Sequence, residues 1–212
     1  DRLVVEYNTS TNPTFEGAVR DTSGRGLDGI LSGNTYYDAT TKDLTFDGLG
    51  NDYIKGNVNG ASGAYVHSVS LWYFTNDNPG NDYVYQLGND STNSSPSIQI
   101  NGTAGKLYIS FIGNYYEILL SSTVIAQNQW VHLAYSYDGS VTTSSSVSVY
   151  INGVKMSMTG PLGGSAGNAL TLPTNPEIHI GSGANSGPVN GKISQFKLYD
   201  TALTAEEVKT LY

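Results

Sequence analysis

QNQWVHLAYSYDGSVTTSSSVSVYINGVKM, residues 127–156, holds two alternating patterns joined by a polar loop. In the first, Val131, Leu133, Tyr135 and Tyr137 alternate with His132, Ala134 and Ser136. In the second, Val147, Val149 and Ile151 alternate with Ser146, Ser148 and Tyr150. A period of two puts each apolar set on one side of a strand, so each strand is expected to bury one face. Asp138-Gly139 closes the first strand. Asn152-Gly153 follows the second and is the favoured pair for a type I′ turn, whose central residues both need positive φ. The stretch therefore reads as a β-hairpin, with a third strand starting near Val154.

Strand patterns recur on both sides of it. LVVEY near the start, Leu44–Phe46, Tyr53–Ile54, Val66–Phe74, Tyr83–Leu87, Ser97–Ile100, Lys106–Ile112, Glu117–Leu120 and Glu177–Gly181 all read as strands, separated by Gly-, Asn- and Asp-rich turns. Near the end, Ile193, Phe196 and Leu198 mark a strand that stops at Asp200. Thr204 with Glu207 three positions on then forms a capping box for a short helix whose Val208, Leu211 and Tyr212 pack on the sandwich.

Composition bounds the function. The 212 residues include 25 Gly and no Cys, and 38% are hydrophobic, which suits one β-rich domain over 1–212 rather than a disordered chain. A net charge of −8 with only ten Lys and Arg, scattered singly, leaves no basic patch for nucleic acid or an anionic membrane. Without cysteine there is no disulfide framework, thiolate metal site or Cys nucleophile. No apolar run approaches the roughly 20 residues of a membrane helix. The start at Asp1 carries no signal-like segment, as expected of a mature fragment or an excised domain. The four Asn-x-Ser/Thr sequons, at Asn8, Asn89, Asn93 and Asn101, are what this composition produces by chance.

The pattern W-x-H-hydrophobic-A-x-x-Y-D-G at Trp130–Gly139, followed by V-Y-x-N-G at Val149–Gly153, resembles the laminin-G-like jelly-roll family of the concanavalin A-like lectin/glucanase superfamily. DTSGRGLDGIL (Asp21–Leu31), LTFDGLGNDYI (Leu44–Ile54), Val69–Trp72 and Ile178–Tyr212 are similar to further segments of it, in the same order. The resemblance implies an all-β, two-sheet antiparallel sandwich with a short C-terminal helix. It also implies a lectin-like or adhesion module of a secreted, cell-surface or virion-surface protein, with a glycan or cell-surface ligand. The competing class is a protein-interaction or structural domain of an adhesin or virion. Trp72 falls where the family has a core tryptophan. Asp21 falls where relatives often bind a structural calcium, a hard ion that prefers oxygen ligands, although the residue also reads plainly as the first position of a turn. Relatives usually have an Asp where Ser194 stands here, which removes one of their metal ligands.

The glucanase cousins need two carboxylates about 5 Å apart on alternate strand positions. Glu117 and Glu177, both in strand patterns, have no carboxylate two or four positions away. His67, His132 and His179 are each isolated and read as structural. A binding module, not an enzyme, is expected. Its site is expected at one rim, in TNDNPGNDY with Asp77, Asn81, Asp82 and Tyr83, joined by the Asn114-Tyr115-Tyr116 turn. A sugar needs fixed amide and carboxylate oxygens beside an exposed ring, and loops held by strands present such groups.

Overall fold

The computed structural model describes residues 2–88, 95–102, 105–111, 114–119, 125–141, 143, 145–162, 167–184 and 187–212. Along them lie β1 (Leu3–Tyr7), β2 (Thr14–Phe15), β3 (Ala18–Val19), β4 (Gly29–Ser32), β5 (Tyr36–Asp38), β6 (Asp43–Asp47), β7 (Tyr53–Asn57), β8 (His67–Thr75) and β9 (Asp82–Leu87). β10 (Pro96–Asn101), β11 (Lys106–Phe111), β12 (Asn114–Leu119), β13 (Trp130–Tyr137), β14 (Val147–Ile151), β15 (Val154–Lys155), β16 (Thr159–Leu162), β17 (Glu177–Ile180), β18 (Asn190–Tyr199) and a single helix, α1 (Ala205–Leu211), follow. Among the described residues they form two sheets. One runs β15-β14-β13-β8-β18-β6-β5 with β1 beside β18, and the other runs β16-β12-β11-β10-β9-β17-β7-β4-β3-β2. The pairings are antiparallel. This is the expected jelly-roll sandwich.

The hairpin forms as its alternation dictates. β13 pairs with β14 from Leu133↔Ile151 to Tyr137↔Val147. Asn152 and Gly153 have φ of 50° and 73°, and β15 begins at Val154. Both faces of β13 are buried, however, not one. Val131, Leu133, Tyr135 and Tyr137 fill the inter-sheet core, while His132, Ala134 and Ser136 on the outer face are buried too. Leu203 and Val208 pack on Ala134 and Tyr150, and the Tyr212 ring lies 6.1 Å from His132. The capping box that holds this helix in place is formed, with Thr204 Oγ1 accepting from Glu207 N and Glu207 Oε2 accepting from Thr204 N at 2.8 Å.

Trp72 is a correction to the resemblance. It is half-buried on the outer face, stacked on Tyr212 at 5.6 Å, because alternation gives the inward places to Leu71 and Tyr73. The core itself is tied by rings. Phe196 of β18 lies 5.6 Å from both Tyr7 of β1 and Tyr85 of β9, bridging the sheets. Each such side chain contributes about 1.5–3 kcal/mol by leaving water.

β18 organises one rim. A bulge with Gln195 at φ 52° divides its free edge, so that Asn190–Ile193 pair with β6 and Phe196–Tyr199 with β1. At its start Asn190 faces Asp47 across one ladder, and Gly191 faces Thr75 across the other. The ends of β6 and β8 thus meet the beginning of β18, with the beginning of β9 joining from the second sheet.

Candidate functional site

A depression of about 520 Å³ opens at this rim, lined by Asp47, Gly48, Asp77, Gly80, Asn81, Asp82, Gly187, Pro188 and Asn190. Backbone bonds weld the contributing loops together. Asn76 N donates to Asn190 O at 2.9 Å and Tyr83 N to Gly187 O at 2.8 Å. Asn190 Nδ2 donates to Asp77 Oδ2 at 2.9 Å, and Thr75 Oγ1 donates to the Asp77 carbonyl at 2.8 Å. Asp47 accepts from Asn34 Nδ2 and Leu49 N, both at 2.9 Å. These bonds, Asn34's first, hold its carboxyl below the usual range. Gly187 at φ 78° lets the chain pass over the Tyr83 ring, where any side chain would collide with that ring and with the Asn81 carbonyl.

Asp82 sits at the cleft and is only 6% exposed. Its Oδ2 accepts the Tyr73 hydroxyl at 3.1 Å, and among the described residues no donor reaches Oδ1. Burial, opposed by the Tyr73 bond and aided by the charge of Asp77, pushes its carboxyl up to about 7. A buried acid with a raised titration in a concave site is a candidate for function. The lining offers carboxylate acceptors and amide groups at fixed positions, which is chemistry for hydroxyls.

The structure brings together three of the sequence candidates, Asp77, Asn81 and Asp82. Tyr83 lies under Gly187, half-buried, and does not line the depression. The Asn114-Tyr115-Tyr116 turn is not part of it, which corrects the expectation that both loops share one rim. The ladders run Asp82↔Ile100, Ile100↔Leu107 and Leu107↔Ile118, so the Asp82 end of β9 is level with the far end of β12. Asn114, paired with Phe111, starts β12 at the opposite end. Tyr116 is fully buried, its hydroxyl donating to Thr143 O at 2.6 Å, so it is a core residue and not a ligand contact. The side chains of Asn114 and Tyr115 lie outside those described. Sequence reasoning missed Gly187, Pro188 and Asn190, and did not place Asp47 and Gly48 at this rim. No local pattern announces them, because strand register brings them in.

The Asp21 carboxylate is engaged by hydrogen bonds within the fold. Its Oδ1 accepts from Glu6 N at 3.0 Å and Ser23 N at 2.9 Å, and its Oδ2 from Ser23 Oγ at 2.8 Å and Leu27 N at 2.9 Å. Four donors point where a calcium ion requires further oxygens. Among the described residues no three His, Asp or Glu side chains gather into a metal-holding group. Ser194, in place of the relatives' Asp, accepts from Thr9 Oγ1 at 3.0 Å.

The strand histidines and glutamates make bonds within the fold, although His132 Nδ1 has no partner among the described residues. His67 bonds Tyr65 O and Tyr135 Oη, each at 2.7 Å, and His132 Nε2 bonds Ser70 Oγ at 2.8 Å. Burial pushes both histidines down to about 4. Glu117 pairs with Lys106 and Glu177 with Lys55, each at 2.9 Å. β12 and β17 are four strand steps apart, about 19 Å at the usual spacing. The two Glu therefore do not make the close pair of a retaining glycosidase.

A profile described as the concanavalin A-like lectin/glucanases superfamily matches residues 46–209. No curated protein matches significantly. Among solved structures, domain 4 of the extracellular arabinanase AbnA from Geobacillus stearothermophilus, in complex with arabinotriose, superposes with a TM-score of 0.66 at 21% identity. It covers 99% of this chain and 98% of that one. The binding domain of Paraclostridial Mosquitocidal Protein 1 gives 0.72 at 17% identity over 100% of this chain. That of Botulinum Neurotoxin DC in complex with SialylT gives 0.69 at 15%, again over 100%. The chain spans about half of each toxin binding domain, 52% and 51%.

Proposed function

Because the chain belongs to the concanavalin A-like lectin/glucanase superfamily, we propose that it is a non-catalytic glycan-binding module whose ligand sits in the rim cleft. One observation carries this reading. Asp77, Asn81 and Asp82 converge with Asp47 and Asn190 on a single concavity whose loops are tied to four strand ends. A pre-formed site of this kind orders little on binding. The arabinotriose-bound arabinanase domain and the SialylT-bound toxin domain share the fold and support the same reading. Their setting supports an extracellular or surface location. No described helix is long and apolar enough to cross a membrane. Residues 1–212 act as one unit in this reading, since one core cluster draws residues from both sheets.

Screening the module and its Asn81→Ala variant against immobilised glycans tests the proposal. Binding by the parent and its loss in the variant are expected, and silence of the parent across a broad set overturns it. A second reading, recognition of a protein, has its own observation. The outer face carries Trp130, 38% exposed and 5.4 Å from Phe74, with Lys192 Nζ 5.9 Å above the Phe74 ring. It gains if Trp130→Ala, and not Asn81→Ala, releases the natural ligand.

A further inference from the structure

We propose that the rim cleft selects by charge, taking neutral or amino-bearing sugars and rejecting glycans that carry a carboxylate. This rests on the glycan reading and narrows it. Three of the lining residues, Asp47, Asp77 and Asp82, are acids, and none of the lining residues is Lys, Arg or His. The acids are also left uncompensated. The ion pairs among the described residues go elsewhere, to Glu6, Asp43, Glu117, Glu177, Asp200 and Glu207. Asp47 and Asp77 are held by neutral donors instead, Asn34 Nδ2, Leu49 N and Asn190 Nδ2. Such bonds fix a carboxylate's position without cancelling its charge.

Asp82 adds an independent mark. It is more than nine-tenths buried, meets only the Tyr73 hydroxyl through Oδ2, and lines the cavity with Oδ1 unclaimed by any described donor. Once Asp82 is ionised, above about pH 7, a sugar hydroxyl or ammonium supplies the missing donor, whereas a sugar carboxylate brings another acceptor. Like charge brought beside the exposed carboxylates of Asp47 and Asp77 is repelled across the cleft, by an amount that water and salt screen. The chain's net charge of −8 adds to the repulsion at a distance.

The test uses matched pairs of immobilised oligosaccharides in the presence of chelator, so that no divalent cation bridges acid to acid. Each pair is a neutral chain and the same chain with one sialic or uronic acid, lactose and 3′-sialyllactose among them. Chitotriose and its deacetylated form provide the cationic arm. The neutral member should bind about tenfold more tightly than the acidic one, and the amino form more tightly than its acetylated parent. Asp77→Asn should shrink both ratios, and so should high salt. Acidic members bound as well as neutral ones, with binding still lost in Asn81→Ala, would overturn the selectivity and leave the glycan reading standing. Absence of binding to every pair would overturn that reading first and this inference with it.

Discussion

Asp21 and Asp82 are buried to the same degree, 6% exposed each, yet their carboxylates live in opposite surroundings. Asp21, between β3 and β4, collects four donors: Glu6 N, Ser23 N, Ser23 Oγ and Leu27 N. Asp82, at the rim, collects the Tyr73 hydroxyl alone, and burial with a neighbouring charge drives its carboxyl towards neutrality. The first stitches β1 to the turn before β4 and has nothing left to offer a ligand. The second is held at a cost to the fold and keeps an oxygen available to the cleft. Burial does not mark a functional acid; the number of donors around it does.

The comparison breaks most readily at Asp21. Asp21→Ala strands three backbone N–H groups beneath the sheet edge, and each unsatisfied buried donor is expensive. A loss of about 2–4 kcal/mol is expected, read as a fall in Tm or in the urea midpoint with little effect on glycan binding. Chelator should leave the melting curve of the parent unchanged. A drop in Tm with chelator that disappears in Asp21→Asn would instead restore calcium to this turn.

Gly187→Ala probes the cleft without deleting a polar group. At φ 78° an alanine is strained, and its methyl meets the Tyr83 ring and the Asn81 carbonyl. About 1–2 kcal/mol of stability should be lost. Glycan binding should weaken as well, because the Gly187 carbonyl that receives Tyr83 N shifts with it. Intact binding in this variant would mean that the ligand does not rely on the Asp77–Tyr83 loop.

How much is legible in the sequence follows from how far apart the interacting residues lie. The hairpin is legible because alternation and the Asn152-Gly153 turn are local, and the helix because Thr204 and Glu207 are three residues apart. The Asp77–Asp82 half of the cleft is legible because it is one loop. Asp47, Gly187 and Asn190 are not, since they come in only through long-range bonds, Asn190 paired with Asp47 and Gly187 O accepting from Tyr83 N. The turn reading makes Tyr116 a ligand contact, although its two-residue step to Ile118 carries the inward parity; both are buried. Resemblance puts Trp72 inward, against its own alternation with Leu71 and Tyr73. At both positions the period of two is the better guide. The double burial of β13 has no local signal, because α1 reaches it only through tertiary folding.

The smallest expected effect, and the most diagnostic, is that of Asp82→Asn on stability against pH. The variant keeps an acceptor for the Tyr73 hydroxyl and removes only the charge. In the parent, the Asp82 carboxyl rises from its ordinary 3.8 to about 7 on folding, through burial and the nearby Asp77, with the Tyr73 bond opposing. The folded chain then binds more protons than the unfolded one between those values. Parent stability should therefore fall as pH rises from about 4 to about 7 and level off above, where the charged form must be carried in the fold. Asp82→Asn should lack this component. It should match the parent near pH 4 and exceed it by about 1 kcal/mol at pH 8, well below the full linkage value because the cleft opens to water that screens the charge. Melting curves of both proteins across that range read the difference directly. Parallel curves would show that Asp82 is solvated like an ordinary surface acid, and the contrast with Asp21 would vanish. A more stable variant that no longer binds sugar would show the rim carboxylate being kept for its ligand at the fold's expense.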